Sequence, residues 1–323
     1  MMPEAHSTYR RQVFLFPLAC IFLFVGLLGF EHVLPYRNTN DYIFAFLDKL
    51  NMLKAEAGEP RIILLGGSNL ALGIDSHELE KALHKRVINM GVQVGFGMKF
   101  IMDSARPYFR KGDIVVLSFE YNNYFGDIFY GDYGLLCLLE SVYPEGIKYI
   151  NASQSCVLLG NVNNFIIDSL KRKLRYFIVK DDKLSSCYDR RAFNEYGDVV
   201  FHLTDKNQNH AFAVAGPSNS GFRRETLDFL DKYKSDLGRR GVRVLFLYPS
   251  IQKSTYVNQL ANIREVEKQL KPRAINADIL ITPEDAVYAD NLFYDSPYHL
   301  NRVGRSIRTE QLISLLQEKL SDK

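Results

Sequence analysis

Residues 62–69 read Ile62-Ile63-Leu64-Leu65-Gly66-Gly67-Ser68-Asn69. Four apolar residues in a row make a short buried strand, too short to be a helix of its own. The two glycines let the backbone turn sharply and keep side chains away from whatever approaches. Ser68 then stands at the mouth of the turn. A helix is expected from about Asp75 or Ser76, both good N-cap types. Strand, glycine turn, serine and helix is a recurring way to present a hydroxyl at the carboxyl edge of a parallel sheet. Alone, the stretch also fits a Gly-Gly-Ser turn with no chemistry.

The pattern repeats outward from this stretch. Val87 to Met90 reads as a second strand, followed by Gly91, Gly95 and Gly97 and a helix over Met98 to Phe109. Asp113 to Phe119 is a strand of the buried kind, and Glu120-Tyr121-Asn122-Asn123 follows it. Further on come a helix over Arg223 to Arg239, a strand over Gly241 to Tyr248 ended by Pro249, and a helix over Ile263 to Leu270. A short strand at Asp278 to Ile281 and a closing helix over Asn301 to Leu320 complete the series. Strands alternating with glycine loops and helices predict a parallel sheet covered on both faces. This α/β domain spans 61–323.

Ahead of it lie three further segments. Residues 1–12 are polar and include Arg10-Arg11, and 13–30 carry no charge. As a helix the second segment is about 27 Å long, enough for a bilayer core of about 30 Å. Arginines before it and Glu31 after it place the N-terminus in the cytoplasm and the rest outside. The rival is a cleaved signal peptide. Against that stand the length of the apolar run and the lack of a small-x-small site after it. Residues 31–60 form a connector with one helix, around Asp41 to Ala57.

From 125 to 221 the α/β rhythm fails. This insertion is rich in Tyr, Phe and Asn, and holds one basic helix around Asn161 to Val179. Lys171, Arg172, Lys173 and Arg175 on that helix suit a membrane surface or an anionic polymer, or simply a solvated face.

Composition excludes several classes. The apolar fraction of 47% supplies a full core, and a net charge of +3 gives no footprint for nucleic acid. Cys20, Cys137, Cys156 and Cys187 are widely spaced, with no zinc pattern. Cys20 is expected to pack within its apolar run. The first loop lacks the Gly-x-Gly-x-x-Gly spacing that admits a pyrophosphate.

A second informative stretch is Tyr294-Asp295-Ser296-Pro297-Tyr298-His299-Leu300-Asn301-Arg302-Val303-Gly304. It sets an acid and a histidine on one loop before the last helix. A histidine that takes a proton from serine needs an acid on its other ring nitrogen. Together the pieces resemble the SGNH (GDSL-type) hydrolase superfamily of esterases and acyltransferases. Gly66-Gly67-Ser68-Asn69 is similar to its first block, with Gly67 where Asp is usual. Asn89 to Gly95 resembles the second block, and Glu120 to Asn123 the third, with Glu120 where Gly is usual. His299-Leu300-Asn301 with Gly304 resembles the fifth. The family sets its acid three residues before the histidine, whereas Asp295 is four before; Asp290 is the substitute.

The resemblance implies a three-layer α/β/α flavodoxin-like domain with a catalytic triad of Ser68, His299 and Asp295. It implies an oxyanion hole that includes Gly95, with Gly91 in reserve, and Asn122. It implies no metal and no organic cofactor. An SGNH domain on one N-terminal anchor also looks like the bacterial proteins that O-acetylate polysaccharides or transfer D-alanyl groups to teichoic acid. That likeness implies an acylated glycan or cell-surface polymer as substrate and a multi-pass membrane O-acyltransferase as partner. It implies a bacterial cell membrane location with the domain outside. A plain esterase or deacetylase, and a scaffold with a decayed site, are the alternatives.

Overall fold

The computed structural model describes residues 4–55, 58–178, 184, 186–204 and 218–321. Its first element is α1 (Glu4–Val33), longer at both ends than the uncharged run. Leu15–Val33 within it has a mean hydropathy of 1.9 and is almost wholly exposed, so it is long and apolar enough to cross a membrane. Cys20, expected to be packed, is exposed there. The connector carries α2 (Ala45–Lys54), entered through a tight turn that Asp41 caps at the Ile43 amide. The expected end of this helix at Ala57 lies outside the described residues.

Four parallel strands make the central sheet: β1 (Ile62–Gly66), β2 (Val87–Asn89), β3 (Ile114–Ser118) and β4 (Arg243–Phe246), in the order β2-β1-β3-β4. Ile62 through Leu65 and Val115 through Leu117 have no exposed surface. A parallel sheet covered on both faces demands such unbroken apolar runs, and that is why they stood out in the sequence. Ile62 pairs with Ile114 and Gly66 with Ser118. At Gly66 a Cβ would lie 1.8 Å from the Ser118 carbonyl oxygen, so only glycine lets β1 turn away there. The buried Arg61–Asp113 ion pair (2.7 Å) ties the opposite, amino end of the two strands. Sheet order reverses between β1 and β3, and open α/β sheets place ligands in the crevice at such a point, beyond the carboxyl ends of the strands.

Two helices connect β1 to β2: α3 (Ser68–Gly73), which begins at the serine itself, and α4 (Ser76–Leu83), capped by Asp75 as expected. Next, α5 (Met98–Ala105) leads from β2 to β3. The insertion contributes α6 (Tyr133–Ser141), α7 (Ala152–Gly160) and α8 (Val162–Ile178). Val179, the expected end of α8, lies outside the described residues. Only part of the basic face of α8 is solvated. Lys173 is buried, bonded to Glu31 (2.6 Å) and Glu140 (3.1 Å), and Arg172 pairs with Asp168 and Asp41. The first of these contacts fastens the end of α1 to the insertion.

The insertion is also stitched to the sheet. The Asn89 amide donates to the Tyr196 carbonyl (2.8 Å) and the Val199 amide to that of Ala71 (2.8 Å). Fully buried Asp198 accepts from Ser76, Asn89 and Arg305. After α9 (Arg224–Arg239) and β4 come β5 (Ile251–Gln252), α10 (Lys253–Asn258) and α11 (Leu260–Leu270). The strand expected at Asp278 to Ile281 is a single parallel bridge from Ile279 to Phe246. Then β6 (Val287–Tyr288) pairs with β5, and α12 (Arg302–Ser321) closes the chain.

Candidate active site

Ser68 is the first residue of α3, with Gly67 as its extended N-cap. The turn is pinned to β3 by a reciprocal pair: Asn69 Nδ2 donates to the Ser118 carbonyl (3.2 Å), and Ser118 Oγ to Asn69 Oδ1 (3.0 Å). Ser68 therefore sits on the rigid end of the sheet, partly exposed, above a fully buried strand.

His299 arrives from the loop before α12. That loop closes on itself, with the Tyr294 amide bonded to the His299 carbonyl (2.8 Å) and the His299 amide to the Ser296 carbonyl (3.1 Å). Closure brings Asp295 Oδ1 to 2.7 Å from His299 Nδ1, so a four-residue spacing reaches the ring. Asp290, the substitute, instead accepts from the Ser254 amide (3.0 Å). His299 Nε2 lies 2.8 Å from Ser68 Oγ, across 231 residues of sequence. With the Nδ1 proton directed at the carboxylate, Nε2 is bare and accepts from the serine hydroxyl.

Two further residues of this stretch serve the scaffold. Asn301 Oδ1 accepts from the Val303 and Gly304 amides, capping α12, and a Cβ on Gly304 would press on the Leu292 carbonyl at 2.5 Å.

Asp295 is held at both oxygens. Its Oδ2 accepts from the Tyr188 hydroxyl at 2.6 Å. Burial by itself would raise this carboxyl, but the hydrogen bond and charge of His299, with the Tyr188 bond, hold it below the ordinary carboxylate range. Tyr188 belongs to the insertion, and nothing in the local sequence marks it.

Glu120 is the other addition. It stands two residues past the end of β3, is 3% exposed, and places Oε1 3.1 Å from the Asn69 amide and 3.4 Å from Ser68 Oγ. One hydroxyl proton cannot serve two acceptors, and the 2.8 Å contact to His299 is the better bond. A Cβ on Gly67 would fall 1.8 Å from Glu120 Oε2. The carboxylate thus fills the space that a side chain at 67 would need. The two departures from the family's blocks, at 67 and at 120, are complementary in space.

The expected oxyanion donors are not gathered as tightly. Asn122 is exposed, and its Oδ1 accepts from Asn123 Nδ2 (3.3 Å). Gly95 is buried against Asp132, whose amide bonds to its carbonyl (2.9 Å). Gly91, the reserve, lies against the serine turn: a Cβ there would be 2.9 Å from the Gly67 carbonyl and 2.6 Å from the Ala71 nitrogen. Its amide donates to Asn89 Oδ1 (2.9 Å). Behind this loop, Lys49 from α2 donates to the carbonyls of Asn89, Gly91 and Gly197 at 3.0, 2.5 and 2.6 Å. Burial pushes its ammonium down to about 7, against a weaker upward pull from Asp198.

Among the described residues, no three His, Cys, Asp or Glu side chains cluster as metal ligands. Neither a scan of the sequence against protein-family models nor a search of curated proteins found a match.

Proposed function

We propose that this protein is a serine-dependent acyl-transferring enzyme of the SGNH type, with a flavodoxin-like domain on a single-pass membrane anchor. The observation that carries this reading is the continuous contact from Asp295 through His299 to Ser68, at 2.7 and 2.8 Å. The strand order β2-β1-β3-β4 and the serine's place beyond β1 support it. In the reaction, Ser68 Oγ attacks an ester carbonyl while His299 Nε2 takes its proton, and Asp295 stabilises the imidazolium that forms. Proton return to the leaving oxygen gives an acyl-serine, which water or a sugar hydroxyl then resolves. The Ser68 amide, in the first turn of α3, has no acceptor within its own helix and is available to the oxyanion. Gly95 and Asn122 would complete the hole by closing on bound substrate. One such donor contributes about 3 kcal/mol in the transition state.

The acceptor is a glycan or another cell-surface polymer outside a bacterial membrane, and the acyl group an acetyl or a close relative. The tyrosine- and asparagine-rich insertion supports a sugar site, since aromatic faces and amides suit sugar rings. A multi-pass membrane O-acyltransferase would supply the acyl group.

The test treats the full chain in detergent with a fluorophosphonate probe, then with an acetyl donor and candidate oligosaccharides, following products by mass spectrometry. Labelling at Ser68, lost in Ser68→Ala, together with acetylated sugar is the expected result. Acetate release without sugar product would make the protein an esterase. No labelling and no product would leave a scaffold.

A further inference from the structure

The ion pairs of α8 occupy only part of its circumference. Ser169 and Lys173, one turn apart, share one side of the helix, and both bond to Glu31 at the end of α1. Arg172, about 100° around from Lys173, reaches Asp41 in the connector (3.2 Å). Across from Arg172 lie Ile167 and Leu174, about 140° and 160° around the helix from it. They stand two turns apart on one stripe and are 52% and 43% exposed. Lys171 sits in the turn between them and Arg175 beside the second. Both cations are exposed, and neither has an ion-pair partner among the described residues.

Single apolar residues on a surface are ordinary, but this stripe is distinguished by its charge pattern and its place. Along successive turns the face reads Ile167, Lys171, then Leu174 with Arg175. A helix that lies in a bilayer interface is built this way: apolar side chains enter the acyl boundary while Lys and Arg reach out to lipid phosphates. The place follows from α1. Glu31 falls in the last turn of Leu15–Val33, the segment long and apolar enough to cross a membrane. Bonded to Glu31, α8 is held at the level where α1 would leave the hydrocarbon. Arg172 faces the connector and the domain beyond it, so the stripe on the opposite side faces away from the domain.

We propose that this face of α8, with Ile167, Lys171, Leu174 and Arg175, docks on an anionic bilayer surface and gives the domain a second footing beside α1. The proposal rests on the membrane-anchor reading and adds a lipid preference to it. A neutral bilayer would take the two apolar side chains but offer no net charge to the two bases. An acidic polymer in solution would meet the bases and leave Ile167 and Leu174 in water, so the apolar pair favours the bilayer.

The chain contains no tryptophan, so one placed by substitution is a unique reporter. The full chain carrying Ile167→Trp, Leu174→Trp or, as a reference within α1, Phe22→Trp is reconstituted into vesicles with brominated acyl chains. One set is phosphatidylcholine alone, and the other contains phosphatidylglycerol at about one lipid in three. Bromine on the chains quenches only an indole that enters the hydrocarbon. Phe22→Trp should be quenched in both sets. With the anionic lipid, Ile167→Trp and Leu174→Trp should lose about half or more of their emission. That loss should shrink at least twofold in phosphatidylcholine alone, and likewise when Lys171→Glu/Arg175→Glu is added to Leu174→Trp. Quenching of Phe22→Trp with none at 167 or 174 would overturn the docking and leave the anchor intact. Quenching at 167 and 174 that ignores both the lipid charge and the charge reversal would overturn the anionic preference. If Phe22→Trp itself is not quenched, the anchor reading fails and the docking falls with it. Far-ultraviolet circular dichroism of each variant, expected to match the parent, checks that the helices are kept.

Discussion

Replacing Gly67 by alanine should be far more harmful than a single methyl group suggests, and removing Glu120 should relieve it. The backbone at Gly67 is extended (φ −82°, ψ −173°), so alanine meets no torsional penalty. The whole effect comes from the side chain opposite. The new Cβ would lie 1.8 Å from Glu120 Oε2 and 2.3 Å from its Cδ. Ordinary carbon–oxygen contact begins near 3.4 Å, so the carboxylate must retreat by roughly 1.6 Å. That breaks its 3.1 Å bond to the Asn69 amide. A hydrogen bond to a charged group contributes about 1.5–3 kcal/mol, and crowding in a packed core costs about 1–3 kcal/mol. Gly67→Ala should therefore destabilise by about 2.5–6 kcal/mol and slow fluorophosphonate labelling of Ser68. In Gly67→Ala/Glu120→Ala the clash is gone, and the double variant should be more stable than Gly67→Ala alone. The coupling in the double-mutant cycle should be about 2 kcal/mol in the rescuing direction. Urea unfolding of the full chain in detergent measures this. With 19 tyrosines and no tryptophan, far-ultraviolet circular dichroism is the better signal. A Gly67→Ala variant as stable as the parent, or costs that simply add, would refute the packing argument.

Three other outcomes follow from the geometry. Tyr188→Phe removes the 2.6 Å bond to Asp295, so that carboxyl should rise toward its ordinary range; Ser68 labelling should slow by about tenfold, and its acid limb should move to higher pH. Lys49 falls on folding from 10.5 to about 7. Between those pH values the unfolded chain holds a proton that the folded one has released, so Lys49 makes stability rise with pH by up to about 1.4 kcal/mol per unit; a Lys49→Met variant, unfolded at pH 6.5 and 9.5, should lack that part of the rise. Lys173→Met strands Glu31 in a buried site and should cost about 3 kcal/mol, much of it returned by Lys173→Met/Glu31→Met in the same unfolding assay.

The sheet was legible because buried parallel strands leave continuous apolar runs, and those at 62–65 and 114–118 carry both the register and the serine turn. Asp295 and His299 were legible because they share one loop. The residues around them were not. Tyr188 reaches Asp295 across 107 residues, and Asp198 reaches Arg305 across the same separation. No local period encodes such pairings, and both tyrosine and aspartate are ordinary in a loop-rich insertion. Glu120 was visible only as a departure from a pattern; that its carboxylate fills the space beside Gly67 needed the register of β1 on β3. The basic face of α8 misled in part, because composition does not tell a solvated lysine from one buried against Glu31.

The junction of Glu31 with Ser169 and Lys173 has a mechanical consequence. A domain tethered by a slack linker samples many heights and tilts above the surface that holds it. Here the last turn of a 30-residue helix, about 45 Å long, is bolted into the insertion that also supplies Tyr188 to the serine site. Helix and domain would then turn as one lever. If α1 is embedded in a bilayer, the serine is carried at a fixed standoff and bearing. Reach would be set by the geometry of that joint, and whatever meets Ser68 would have to come to it.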